Sequence, residues 1–324
     1  MNNKVNKTIS WIGVLRKYGT LIGAIFIFIL FSLVVDSFFT LRNLFMLLRQ
    51  MSMLTIISFG FTFVMAAGGF DVSIGNVVGL VSVVFAIVLV NTSSFWLSLL
   101  VALGIGLFVG LVNATLVAYI HLPDFISTFA VGSIAYGIKM LITRGNPIFI
   151  MNPPEIFKFI GQGYIGPIPF PVILMLVFLV IAIFVLNKTK LGRRIYAIGG
   201  NPVASMYAGI NVKWYRMITF LLSGLSVSIA SVIMTSRLNS GQPLAGESFL
   251  LDVIAIVFLS TTMFGEGEPN VMGAFVGALI ISMLNNGLSM LNVPYYFQYV
   301  TKGVVVISAV MLAATLGQKL RIKF

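Results

Sequence analysis

Residues 171–187 read Pro-Val-Ile-Leu-Met-Leu-Val-Phe-Leu-Val-Ile-Ala-Ile-Phe-Val-Leu-Asn, an unbroken apolar run followed by Lys188. A transmembrane helix needs about 20 mostly apolar residues, whereas a transmembrane strand alternates over about 10. The run is long and uniformly apolar, so it reads as a membrane-crossing helix. Runs of the same kind lie at 19–36, 50–67, 74–91, 95–119 and 125–143, and again at 217–235, 250–264, 271–291 and 296–316. The expected fold class is all-α: a polytopic helical membrane protein with about ten transmembrane helices, forming one transmembrane domain over 1–324. Composition agrees. Of 324 residues, 59% are hydrophobic and 9% charged, with mean hydropathy +1.08, against about 25% charged in soluble domains. That excludes an ordinary cytosolic enzyme and a nucleic-acid binder, despite the net charge of +12. With no cysteine, disulfides, thiolate metal sites and thiol catalysis are excluded together. One histidine and eight acids leave little for a metal site, and none is expected.

The basic residues set the orientation. With ten spans and both termini inside, cytoplasmic segments hold thirteen of the 20 Lys and Arg, among them Lys4, Arg16, Arg193, Arg194, Lys213 and Arg216. The outer side and nearby span ends hold seven, including Arg42, Arg49, Lys139 and Lys302. Positive charge collects inside, so cytoplasmic termini and a multi-pass cell-membrane protein are expected. Residues 1–18 read as a cytoplasmic tail rather than a signal peptide. Two polar intervals remain. The outer one, 144–170, is rich in Pro and Gly and reads as a structured loop at most. The inner one, 188–216, holds a short helix: Asn201 is a cap candidate, Pro202 suits the first helical position, and Gly209 stands where the helix stops.

An internal repeat pairs Leu107–Gly110, Asn113 and Pro123 with Ala274–Gly277, Asn285 and Pro294. A similar offset pairs 68–75 with 239–246. Spans two to five then match seven to ten, and the odd shift of five spans makes the copies inverted, a transporter architecture.

Gly68-Gly69-Phe70-Asp71-Val72-Ser73-Ile74-Gly75 breaks the apolar pattern between two spans. Asp71 and Ser73 either cap the next helix or line a solute path, and the two roles are compatible. Asn239, Ser240, Gly241, Gln242, Pro243, Gly246 and Glu247 form a second polar cluster, suited to sugar hydroxyls and equally to a surface loop. Asn285 and Asn286 must bond a neighbouring helix or face a wet path, because unsatisfied amides in lipid are costly. His121 reads as an interface histidine. Gly265–Pro269 lacks the Lys-Ser/Thr ending of a phosphate loop, so no nucleotide site is expected there. Small residues at helical spacing (Gly104, Gly106, Gly110, Gly273, Gly277) read as packing faces.

The chain resembles the membrane subunits of ribose-type ABC importers. The likeness rests on 68–75, on Gly192–Pro202, on Ser236-Arg237 with Ser240–Pro243, on Gly246-Glu247 with Leu251–Ala255, and on Leu284–Leu288. It implies a permease for a monosaccharide or similar small polyol, such as ribose, xylose or galactose, that works as a homodimer or heterodimer in the lipid membrane. The partners it implies are a cytoplasmic ABC ATPase that uses the ATP and an extracytoplasmic sugar-binding protein. It implies neither a cofactor nor a nucleic acid bound by this chain. Members carry a Glu-Ala-Ala-x-x-x-Gly coupling segment. Here Val203 to Gly209 occupies that frame, with Val203 in place of Glu and Ser205 in place of the second Ala, which removes any ionic contribution from the first position. The residues so implied for ATPase coupling are Gly200, Asn201, Pro202, Ala204, Ser205 and Gly209. For the solute path the candidates, read from the polar residues themselves, are Asp71, Ser73, Asn113, Gln242, Glu247, Asn285 and Asn286. No catalytic residue is expected. A membrane enzyme would need paired carboxylates at repeated spacing, which Asp71, Asp124 and Asp252 do not offer. A stand-alone secondary transporter or channel is the alternative, though one with few buried acids for ion coupling.

Overall fold

A computed structural model describes residues 11–263 and 267–321, with side chains from 19 to 311. The tail expected at 1–18 falls outside the described residues up to 10; from Trp11 the chain is already helical. The helices run α1 Trp11–Val34, α2 Leu41–Ala66, α3 Ile74–Thr92, α4 Phe95–Ala114 and α5 Asp124–Thr143, with a π-helical turn Thr115–Tyr119 extending α4. Then follow β1 Ile148–Phe149, α6 Glu155–Gln162, β2 Tyr164–Ile165, β3 Ile168–Pro169, α7 Phe170–Lys188, α8 Lys190–Gly200 and α9 Pro202–Tyr207. The chain continues through α10 Val212–Leu238, β4 Ser240–Gly241, α11 Glu247–Thr262, α12 Val271–Met290 and α13 Tyr295–Arg321. Among the described residues, seven helices are long and apolar enough to cross a membrane: α2, α3, α4 with its π turn, α5, α7, α10 and α12. The protein is an all-α, multi-pass membrane protein.

Two helices make the centre. α2 and α10 pack along each other, and both carry hydroxyls that would be costly on a lipid face. Ser52, Thr55, Ser58 and Thr62 on α2 each donate to the carbonyl four residues back, as do Ser231 and Thr235 on α10. Their own helices satisfy them, which lets polar residues lie inside. Close approach needs glycine at two points. A Cβ on Gly60 would come within 2.7 Å of Ser226, and one on Gly110 within 2.5 Å of the Phe220 carbonyl. Of the small residues expected to pack, Gly106, Gly110, Gly273 and Gly277 press on neighbouring backbone, whereas Gly104 faces open space. Around the centre, α3 packs on α4 and α5, and α11 packs on α12 and α13. α4 lies on α10 while α12 lies on α2. Outward faces carry Phe108, Ile134, Val180 and Phe184, all well exposed, as lipid contact requires.

The outer interval 144–170 holds more structure than a loop. Pro154 leads into α6, whose Phe157 is fully buried and stacks on Phe85 at 5.5 Å. Gly161 N–H donates to Ser236 Oγ and Gln162 Nε2 to the Ser236 carbonyl, so α6 covers the end of α10. β1 pairs with β4, Ile148 opposite Gly241.

Candidate functional site

Both polar interruptions turn back into the interior. α2 ends at Ala66, where the backbone lies against Gly199 of α8. From there 67–73 climbs back beside α10, until Asp71 accepts from Ser223 Oγ at 2.9 Å. Ser223 also borders Gly60, about 9 Å before the end of α2 at 1.5 Å per residue. It stands about 16 Å from the first residue of α10 and about 22 Å from the last. The break therefore lies deep in the protein. The Gly68 φ of 74° permits the turn, and 69–72, without regular structure, follow. Phe70 N–H donates to Asp124 Oδ2 at 3.2 Å and Val72 N–H to Thr128 Oγ1 at 3.0 Å, so helix α5 satisfies backbone that has left its own helix.

The second interruption is no surface loop. Asn239 takes a left-handed conformation (φ 49°) at the end of α10, and the chain then runs along α3. Gly241 lies against Ala86 and the Ser82 carbonyl, the Pro243 carbonyl lies over Gly79, and the Gly246 carbonyl lies over Gly75. From Ala86 to Gly75 is about 16 Å along the helix. Gln242 N–H donates to Ser82 Oγ at 3.1 Å, and Gln242 Nε2 to Ser240 Oγ at 2.8 Å. Side chains at 75 or 79 would collide with this backbone, and one at 246 with the Gly75 carbonyl. The second interruption thus reaches the start of α3, just past the first, at the Gly75–Gly246 contact.

Two buried carboxylate clusters flank the meeting point. Asp71 Oδ1 accepts from Ser73 N–H at 3.0 Å, from Ser73 Oγ at 2.6 Å and from Asn113 Nδ2 at 3.3 Å. Asn113 also donates to Ser73 Oγ at 2.9 Å. On α11, Asp252 accepts from Asn285 Nδ2 at 3.1 Å and pairs with Lys302 of α13 at 2.8 Å. Asn286 belongs elsewhere: it exchanges two amide bonds of 3.0 Å with Asn43 of α2. Lys302 and Lys139 read from sequence as outer-side residues near span ends. Their partners, Asp252 and Glu247, lie across helix interfaces that only the fold brings together. Lys139, fully buried on α5, donates to Asn76 Oδ1 at 3.0 Å and lies 3.8 Å from Glu247. A recess of about 320 Å³ opens here, bordered by Asn76, Tyr136 and Glu247.

The inner interval 188–216 forms α8 and α9. Asn201 caps α9 by accepting from Ala204 N–H at 2.9 Å, and Pro202 stands at the first helical position. Gly209 has φ 78°, and Ile210 N–H donates to the Ser205 carbonyl at 3.0 Å, closing the helix end. Ser205 is buried, while Gly200, Ala204, Val203, Met206 and Tyr207 face outward, Tyr207 being 84% exposed. Within 265–269, residues 265 and 266 lie outside the described residues. Among the described residues, no three His, Asp or Glu lie together as a metal site would need.

The family model described as "Branched-chain amino acid transport system / permease component" matches residues 43–315. The ribose import permease protein of Bacillus subtilis (strain 168) is 39% identical over 94% of this chain and 95% of its own. The D-allose transport system permease protein of Escherichia coli (strain K12) is 34% identical over 91% of both chains. The xylose transport system permease protein of Haemophilus influenzae is 30% identical over 94% of this chain and 98% of its own. No solved structure matches. The match along 43–315 and these nearly full-length likenesses make the chain a member of that permease family.

Proposed function

We propose that the chain is the transmembrane subunit of an ABC importer and forms the translocation path for a monosaccharide or similar small polyol. The observation that carries this reading is the pair of non-helical segments, 67–73 and 239–246, brought together inside the protein, the second lying on Gly75 just after the first. Irregular backbone at membrane depth belongs where protein buries it or a wet cavity borders it, and interrupted helices are the usual place for a transporter's substrate. The curated relatives are import permeases for sugars, which favours a sugar over an amino acid despite the family's description.

Several finer features follow from this reading. The chain has ten spans, with α1, α11 and α13 added to the seven, and both termini are cytoplasmic. An inverted repeat exchanges α2–α5 with α10–α13. It is supported by the packing of α3 on α4 and α5 where α11 packs on α12 and α13, and by the amide that each of Asn113 and Asn285 gives to a carboxylate. Two copies, identical or related, enclose the path. An outer sugar-binding protein delivers the solute. A cytoplasmic ATPase uses the ATP and grips α9, whose outward Val203, Met206 and Tyr207 suit an apolar groove, and no cofactor is held by this chain. Rocking of the two repeats alternates access.

The test is ATP-driven uptake by the reconstituted complex. Gly209→Val should abolish uptake while the permease still inserts and the binding protein still docks, because a β-branched residue resists φ 78°. Ala204→Glu should do likewise by adding charge and volume to the contact. Wild-type uptake in both variants would refute the coupling role of α9, and ATP-independent transport by the chain alone would favour a secondary transporter.

A further inference from the structure

The recess beside the Gly75–Gly246 contact combines groups that no helix-packing role explains. Glu247 opens α11 with its side chain 47% exposed, although the preceding residue lies deep in the protein against α3. Ionisable groups at such depth avoid hydrocarbon and face bundle interiors or water-filled cavities. Lys139 cannot be the ligand group itself. It is fully buried behind the recess, with its ammonium 3.8 Å from Glu247, 3.0 Å from Asn76 Oδ1 and 5.0 Å from the Tyr136 ring centre. It sits against the carboxylate and occupies the amide's oxygen. The amide NH₂ of Asn76 is left to donate, the carboxylate of Glu247 to accept, and Tyr136, 43% exposed, supplies an aromatic wall.

We infer that this recess is a contact site for a polyhydroxylated solute passing through the membrane, with Glu247 accepting from hydroxyls and Asn76 donating to them. A carboxylate acceptor beside an amide donor matches neighbouring hydroxyls, each of which both donates and accepts. The volume of about 320 Å³ lies at the small end of ligand sites, about 300–1,000 Å³, and suits a single sugar ring. Lys139 is a positioning residue that reaches the solute only through its neighbours. The assignment rests on the importer reading above, and it adds which face of α5 borders the path.

The experiment uses the whole transporter in proteoliposomes, with its ATPase and binding protein, and D-ribose as the probe. Glu247→Gln should lower ribose uptake about tenfold or more while the ATPase stays bound, and Glu247→Asp should recover part of it. Uptake by Glu247→Gln within about twofold of wild type overturns the assignment. Because the chain has no cysteine, Tyr136→Cys places a single thiol in the recess. It should react with a charged, membrane-impermeant thiol reagent and be shielded by ribose together with the binding protein. Val180→Cys, on the exposed face of α7, is the lipid-facing control. Reaction no faster than that control, or no shielding by ribose, also overturns the assignment. Failure of the wild-type complex to carry ribose, allose or xylose is a different result: it removes the sugar-import reading, and the recess assignment falls with it.

Discussion

Asp71 and Asp252 are both buried carboxylates that take an amide hydrogen bond from a neighbouring helix, Asn113 of α4 and Asn285 of α12, yet their remaining partners differ in kind. Asp71 is completed by two serine hydroxyls and a backbone amide; Asp252 is completed by the Lys302 ammonium. A hydroxyl both donates and accepts, whereas an ammonium only donates. The first cluster can therefore re-form around a neutral side chain. The second cannot, because its lysine would stay buried without a counter-charge.

The largest effect is expected at the ion pair. Removing one partner of a buried pair costs about 3–5 kcal/mol, because the other charge is stranded. Asp252→Asn should lower stability by about that amount, read as a fall in the unfolding midpoint of purified protein in detergent. Asp252→Asn combined with Lys302→Met should recover most of the loss, since an uncharged pair leaves nothing stranded. If the double variant is no more stable than the single one, the charge pairing is not what distinguishes the two clusters.

At the other cluster the matching change should be mild. In Asp71→Asn the amide keeps one oxygen for Ser73 and turns its NH₂ toward Ser223, whose hydroxyl can accept instead of donating. The cost expected is about 1 kcal/mol, the net worth of one hydrogen bond. Equal losses in Asp71→Asn and Asp252→Asn, measured in one detergent, would erase the contrast.

The polar residues of this comparison were only partly legible in the sequence. The breaks at 68–75 and 239–246 stood out as lapses in an apolar pattern, and the Asn201, Pro202 and Gly209 signals marked α9, because caps and turns are local chemistry. That 239–246 folds back along α3 was not legible. It depends on Gly75, Gly79 and Gly246 meeting backbone far away in the sequence. The lysines misled for a related reason. Apolar runs mark where the chain crosses a membrane, but a lysine near the end of a run looks the same whether it reaches the interface or turns inward to a carboxylate. Asn76 lies inside an apolar run and gave no signal until Lys139 was placed beside it. The prolines of 144–170 hid α6, whose buried Phe157 finds its stacking partner only on α3.

Asn285 and Asn286 show the same limit within one dipeptide, and the smallest expected effect lies here. Sequence required each amide to find a partner but could not say that one serves Asp252 and the other Asn43. Asn286 pairs with a neutral amide on the same side of the protein as the Asp252 cluster, so it tests whether that whole side is fragile or only its ion pair. Asn286→Leu leaves Asn43 Oδ1 without its donor, while Asn43 Nδ2 keeps the Phe38 carbonyl at 2.9 Å. The loss expected is about 0.5–1.5 kcal/mol, with sugar uptake unchanged. Changing both partners to apolar residues can be nearly neutral, so Asn43→Leu with Asn286→Leu should be at least as stable as Asn286→Leu alone. A loss in Asn286→Leu as large as that in Asp252→Asn would mean that the helix interface, and not the stranded charge, sets the difference. A loss of uptake in an otherwise stable Asn286→Leu protein would return this residue to the solute path, where the sequence analysis placed it.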